Sequence, residues 1–338
     1  MKNKRLIWQL PFLALLIVGT VLIIMHQRSM PYRVSSGLIF GTTYHITYQC
    51  DSDLSASIHR ELTSVDDALS PFNEHSIITA VNNNRPTVLN DMFRDVFQRA
   101  AEISKDTEGA FDITVAPLVN AWGFGFKSGQ HPTPQQVDSL RSLVGWQKVA
   151  IKGGRVVKQQ SGTMLDCSAI AKGYGADVVA RLLRSRGVDN YMVEIGGEVV
   201  TRGVNAQRLP WRIGVTKPSE DAQTSEGELQ TVLNVTDKAM ATSGNYRNFY
   251  YKDGKRYAHT IDPKTGYPVE HSLLSATVLA GDCATADAYA TSFMVMGIER
   301  AKAVLQRHPE LMAYFIYSGD GGKLCVWASP SLKDKIEE

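Results

Sequence analysis

The chain has 338 residues, 43% of them apolar, with 36 basic against 34 acidic side chains and a net charge of +2. Length and apolar share exclude a largely disordered protein and allow one large domain or two smaller ones. The near balance of charge leaves no broad basic footprint, so nucleic-acid binding is set aside.

Lys2, Lys4 and Arg5 precede an apolar stretch from Leu6 to Met25, interrupted only by Gln9, Pro11, Gly19 and Thr20. About 20 such residues can span a bilayer. Basic residues ahead of them favour a cytoplasmic N-terminus. Residues 1–28 therefore read as a cytoplasmic tip and an uncleaved inner-membrane anchor, with everything after them on the periplasmic side. A cleaved signal peptide is the main alternative, but no small-x-small cleavage site follows the run and no nearby Cys could take a lipid. A buried core helix is a third reading, disfavoured by the position at the chain end.

Residues 29–35 read as a linker and 36–332 as a single domain. Gly37 to Gln49 alternates in the manner of a strand broken by Gly41. Ile58, Leu62, Val65 and Leu69 mark a one-faced helix. A second starts at Asn90, with Met92, Phe93, Val96, Phe97, Ala100 and Ile103 as its buried stripe. Thr133-Pro134 opens a third, because Pro suits the first helical turn. A fourth runs from Lys172 to Arg186, with Gly187 placed to end it. Strands are expected at Tyr191–Val200, Trp211–Thr216, Thr231–Val235, Ser275–Leu279, Ala313–Tyr317 and Lys323–Trp327. Several follow one another without a helix between, which disfavours a doubly wound sheet and predicts an α+β architecture of largely antiparallel sheets packed with helices. Pro218 to Glu228, rich in Ser, Glu, Gln and Asp, reads as a surface loop. Cys50, Cys167, Cys283 and Cys325 have no metal-ligand spacing and read as small buried thiols, with pairing left open.

Six segments could carry chemistry. Gly109 to Gly125 places Asp112 in an apolar, strand-like stretch before an aromatic, Gly-punctuated loop that admits a flat ligand or makes a tight turn in the core. Leu165 to Asp177 has a strand ending in Asp166 and a loop entering a helix at Lys172. Free amides at that helix start suit a phosphate, and Lys172 could add a charge-assisted contact. A carbonyl between Ser168 and Ile170 could turn toward a metal. Met240 to Gly244 and Glu194 to Glu198 are small-residue turns that let a ligand approach backbone. Ala258 to Pro268 sets His259 just before the turn Asp-Pro-Lys-Thr-Gly, where an imidazole can exchange protons at working pH or serve structure alone.

The sixth segment, Cys283 to Gly297, is an otherwise apolar helical run that carries one acid, Asp287, with the hydroxyl of Thr291 one turn later on the same face. A buried carboxylate there needs a partner, and a hard metal ion holding a phosphate supplies one. A solvated Asp on an exposed face is the alternative.

In this order and spacing the motifs Gly-Ala-Phe-Asp-x-Thr-Val-x-Pro-Leu-Val-Asn-x-Trp-Gly-Phe-Gly, Asp-x-x-x-Ile-Ala-Lys-Gly-Tyr and His-x-Ile-Asp-Pro-x-Thr-Gly resemble those of the ApbE family, the FAD:protein FMN transferases. The resemblance covers about Phe40 to Trp327. It implies a T-fold-related α+β domain that takes FAD and, with Mg²⁺, moves FMN onto a Thr or Ser hydroxyl of a target flavoprotein, releasing AMP. Some members instead hydrolyse FAD to FMN and AMP, and a carrier that only binds FAD is a third possibility. By the same resemblance the metal ligands fall on the carbonyl of Ala169, the carboxylate of Asp287 and the hydroxyl of Thr291. Flavin contacts fall on Phe40, Phe72, Ala110, Phe111, Asp112, Asp166, Lys172 and Ile261, with His259 as the base and Asp287 at the chemistry. Phe40, Phe72 and Ala290 stand where many relatives have Met, Tyr and a further Asp. Acceptors implied by the family carry an Asp-Gly-x-(Ser/Thr)-Gly-Ala-Thr segment and include subunits of sodium-pumping NADH:quinone oxidoreductase and related electron-transfer complexes.

Overall fold

The computed structural model describes residues 3–126, 131–218, 228–245, 249–252 and 255–337, with backbone alone at 3–10, 23–24, 26–28, 249–252 and 255–257. Helices are α1 (Asn3–Ser29), α2 (Ser55–Leu69), α3 (Ile77–Asn82), α4 (Asp91–Asp106), α5 (Ala116–Ala121), α6 (Pro134–Arg141), α7 (Ala171–Ser185), α8 (Cys283–Met296) and α9 (Ile298–Arg307). Strands are β1 (Tyr32–Ile39), β2 (Thr42–Gln49), β3 (Val149–Lys152), β4 (Arg155–Lys158), β5 (Tyr191–Ile195), β6 (Glu198–Arg202), β7 (Trp211–Thr216), β8 (Leu229–Val235), β9 (Ala239–Gly244), β10 (Phe249–Lys252), β11 (Lys255–Ala258), β12 (Leu273–Ala280), β13 (Met312–Ser318) and β14 (Leu324–Ala328).

One sheet of eight strands, in the order β1-β2-β5-β6-β9-β12-β13-β14, organises the described residues, and each neighbouring pair in it is antiparallel. Strand alternation gives the sheet two apolar faces. On β13, Ala313 and Phe315 pack with α4 and α8, while Tyr314 and Ile316 pack with Ile213, Val215, Leu233 and Val235 of the β7-β8 ribbon. Helices thus cover one face and the ribbon the other. A further cluster joins α2 and α7 to β2 and β5, and a smaller one sets Leu118 and Trp122 of the α5 segment against Val137 and Ile261. The α+β, antiparallel expectation holds.

Several boundaries differ from the sequence reading. Residues 32–35, expected in the linker, are the first half of β1 and pair with Ile46 to Gln49. Phe40 and Gly41, at φ +53° and +72°, make a two-residue turn at the expected break and fold the segment into the β1-β2 hairpin. Gly196-Gly197 likewise splits Tyr191–Val200 into β5 and β6. Met240 to Gly244, expected as a turn, lies in β9 between β6 and β12. No strand ends at Asp166, and Asp112 lies in a turn; near them only Val115 and Met164 form an isolated parallel bridge. The 218–228 loop falls mostly outside the described residues. Cys167 and Cys283 are buried and Cys50 and Cys325 half-buried, all four unpaired as disulfides. Among the described residues no helix is long and apolar enough to cross a membrane.

Candidate active site

Helix α8 begins where Asp282 accepts the Thr285 amide at 2.9 Å and ends at Gly297, whose φ of +75° stops the turn. Nearly every residue between is buried, because α8 packs against β9, β12 and α7 at once. Its contact with α7 is close enough that a Cβ at Gly173 would lie 2.3 Å from the Cys283 carbonyl oxygen. That approach brings the Gly173 N–H to Asp287 Oδ2 at 3.1 Å. Asp287 is 3% exposed, and its other oxygen receives no hydrogen bond from the described residues. Burial raises its pKa, with the Lys172 charge and the Gly173 amide opposing.

Asp287 opens into a cavity of about 370 Å³. Every site residue expected from the sequence lines it except Phe40, whose ring packs instead over Gly175 of α7. One wall is oxygen-rich: the Ala169 segment, Asp287 and Thr291, whose hydroxyl lies 3.0 Å from Ser243 Oγ. Apolar and aromatic side chains, Ala110, Phe111, Val119, Phe124 and Ile261, also line the cavity. His259, half-buried, presents its ring edge-on to Phe124 at 6.4 Å between centroids. Phe72 is 70% exposed at the rim and meets Phe126 edge to face.

The acids of the cavity are held differently. Asp112 accepts the Thr114 N–H and hydroxyl on Oδ1, at 2.8 and 2.6 Å, and the Trp146 N–H on Oδ2 at 2.8 Å. It braces the turn that carries Phe111, and burial still raises its pKa. Asp166 spends one oxygen on the Ser168 N–H and hydroxyl, and burial raises its pKa too.

Lys172 lines the cavity as an ion-paired side chain. Its Nζ lies 2.8 Å from Glu198 Oε1, a carboxylate whose side chain is 4% exposed. The first-turn amides of α7 are also largely engaged, Ala171 to the Cys167 carbonyl, Gly173 to Asp287 and Tyr174 to the Ile170 carbonyl. The expected phosphate cradle at this helix start is therefore mostly filled by the protein itself. Burial pushes Glu198 up to about 7, the Lys172 charge opposing and the Asp287 charge adding. Glu198 is the residue the sequence reading missed. Its signal was the Gly196-Gly197 pair, which fixes a hairpin and so starts β6 at Glu198, on the sheet face it shares with Val200.

A carboxylate, a hydroxyl and a carbonyl form a hard, all-oxygen donor set that fits Mg²⁺ or Ca²⁺ and leaves positions for water and phosphate. Among the described residues no group of three or more His, Cys, Asp or Glu gathers as a metal site.

The sequence model of the ApbE family matches residues 40–315. A curated FAD:protein FMN transferase of Vibrio cholerae is 40% identical over 309 residues, covering 88% of this chain and 91% of that one. The solved structure "Flavin Transferase ApbE from Vibrio cholerae" superposes with TM-score 0.82 at 38% identity, covering 90% of this chain and 99% of that chain. The apo form of Pseudomonas stutzeri flavinyl transferase ApbE gives TM-score 0.80 at 30% identity, covering 90% and 97%.

Proposed function

This chain belongs to the ApbE family, and from that premise we propose that it transfers FMN from FAD to a Thr or Ser hydroxyl of a target flavoprotein and releases AMP. The observation that carries the reading is one cavity lined together by an under-bonded buried carboxylate, a hydroxyl, the Ala169 segment, an imidazole and aromatic, apolar side chains. A T-fold-related domain belongs to the same proposal.

Transfer forms an O–P bond to the acceptor hydroxyl and breaks the P–O bond to AMP, a reaction governed by positioning and charge. Asp287, Thr291 and the Ala169 carbonyl would hold Mg²⁺, which neutralises pyrophosphate charge when bound. Phe111, Phe124 and Ile261 give the isoalloxazine ring a dry wall. Asp166 keeps one oxygen for a flavin N–H or ribityl hydroxyl. His259 takes the proton from the acceptor hydroxyl as the O–P bond forms. Asp112 and Thr114 fix the turn beneath Phe111 and move no proton.

An N-terminal inner-membrane anchor with a periplasmic domain is part of this proposal. Its support is the apolar run Leu6 to Met25, on which Phe12, Leu13, Leu15, Leu16, Ile17, Val18, Val21, Leu22 and Met25 are exposed; a span would also draw on residues 6–10 and 23–24, whose side chains lie outside the described ones. Acceptors bearing the Asp-Gly-x-(Ser/Thr)-Gly-Ala-Thr segment, including subunits of sodium-pumping NADH:quinone oxidoreductase, are proposed targets.

Incubation with FAD, Mg²⁺ and such an acceptor tests the reading by mass spectrometry. Covalent FMN on the acceptor hydroxyl with equimolar AMP is expected. Free FMN and AMP without acceptor labelling makes the chain a hydrolase, and unchanged FAD makes it a carrier.

A further inference from the structure

Glu198 has no part in the reaction as drawn, yet it lies in the cavity wall as a buried acid with one oxygen satisfied. Oε1 pairs with Lys172, while Oε2 is fully buried and has no hydrogen-bond partner. A carboxylate kept for backbone structure fills both oxygens, as Asp112 does three residues into its own turn. The hydrogen bond that Glu198 does make goes to an ammonium that has a second anion nearby. Lys172 and Gly173 are consecutive, and the Gly173 N–H is already on Asp287, so a four-carbon stem starting one residue earlier has Asp287 within its range. The Lys172 ammonium nevertheless forms its ion pair with Glu198, and none with Asp287 within 4.0 Å.

We propose that Glu198 is a positioning residue: it draws the Lys172 ammonium aside and so keeps the Asp287 carboxylate open to a divalent cation. The inference rests on the reading of Asp287 as a cation ligand. The physical basis is competition. Charges attract more strongly in a cavity wall shielded from water than in bulk solvent, so a lysine in this wall closes on whichever carboxylate is unopposed. Without the Glu198 charge that carboxylate is Asp287, and an arriving cation must displace an ammonium to bind. The backbone keeps Glu198 in place. Gly196 and Gly197, at φ +62° and +103°, form the two-residue turn, and Glu198 pairs with Ile195 across it.

Mn²⁺ binding to the full chain in detergent, followed by calorimetry and by the electron spin resonance of free Mn²⁺, tests this without turnover. Wild type is expected to bind and Asp287→Asn to lose binding. Failure of either removes the cation reading itself. Given that pair of results, Glu198→Gln should weaken Mn²⁺ binding by about tenfold or more. Lys172→Met placed in that background should restore it to within about threefold of wild type, since the competitor is gone. Unchanged binding in Glu198→Gln overturns the proposal. Weakened binding that Lys172→Met does not restore also overturns it, because Glu198 would then act on the cation directly. Lys172→Met alone, which does not depend on the folding of the Glu198 variant, should bind Mn²⁺ at least as tightly as wild type, and a loss contradicts competition.

Discussion

Two buried aspartates meet helix α8, and they are treated in opposite ways. Asp177 of α7 sits at the N-terminus of α8 and accepts the Cys283 and Ala284 amides at 2.8 and 2.9 Å, one on each oxygen. Asp287, inside α8, accepts a single amide at 3.1 Å and turns its other oxygen to the cavity. Both are pushed upward by burial, Asp177 to about 6. A raised pKa therefore does not separate a structural acid from a functional one here; the count of satisfied oxygens does.

The contrast is broken most severely at Asp287. Asp287→Asn keeps shape and burial, and FMN transfer should fall by about a thousandfold, the equivalent of about 4 kcal/mol of charge stabilisation, in an acceptor-labelling assay. A loss under tenfold would place Asp287 with Asp177 as structure. His259→Gly should slow transfer by about a hundredfold or more while FAD affinity, read by flavin fluorescence quenching, stays within a few-fold. Equal losses in both would make His259 a binding residue.

Gly173→Ala acts on both sides of the comparison. Its methyl would strike the Cys283 carbonyl at 2.3 Å and wedge α7 from α8. A cost of about 3 kcal/mol in urea unfolding is expected, at the upper end for overpacking because the obstacle is backbone. Asp177→Ala leaves two α8 amides buried without acceptors. It should cost about 2 kcal/mol, with transfer per folded molecule unchanged; reduced turnover at full occupancy would show that the Asp177 cap also positions the site.

The smallest effect lies farther away, where His308 sits between Asp106 at 3.0 Å and Glu310 at 2.9 Å. Burial lowers its pKa, and hydrogen bonds to Asp106 and Glu310 more than offset that, leaving it above 6.5. A raised folded-state value means stability that is fully present below the unfolded value and lost as pH rises through the folded one. The melting-temperature advantage of wild type over His308→Gln should therefore be greater at pH 5.5 than at pH 8.5. A difference independent of pH would remove the charge of His308 from stability.

What was legible in the sequence follows the same physics. An acid in an apolar helical run is costly enough to show through patterning alone, so Asp287 and Thr291 could be read before any coordinates. The short turns were legible only in part: Gly41 read as a break and Glu194 to Glu198 as a small-residue turn, but the pattern did not show that Phe40-Gly41 and Gly196-Gly197 reverse the strand within two residues. Ala239 to Gly244 has Thr242 as its one β-branched residue and so does not advertise a strand, because small side chains there let α8 come close to the sheet. Glu198 was hidden for another reason: its importance lies in an ion pair with a residue 26 positions earlier, a relation no local pattern encodes.

Crystals of the enzyme soaked with FAD and Mn²⁺ and measured at the manganese edge test the central reading most directly. Asp287 as cation ligand predicts an anomalous peak about 2 Å from its free oxygen, touching the FAD diphosphate and the Thr291 hydroxyl. An anomalous peak on the diphosphate with Asp287 still bonded to the Gly173 amide alone would contradict it.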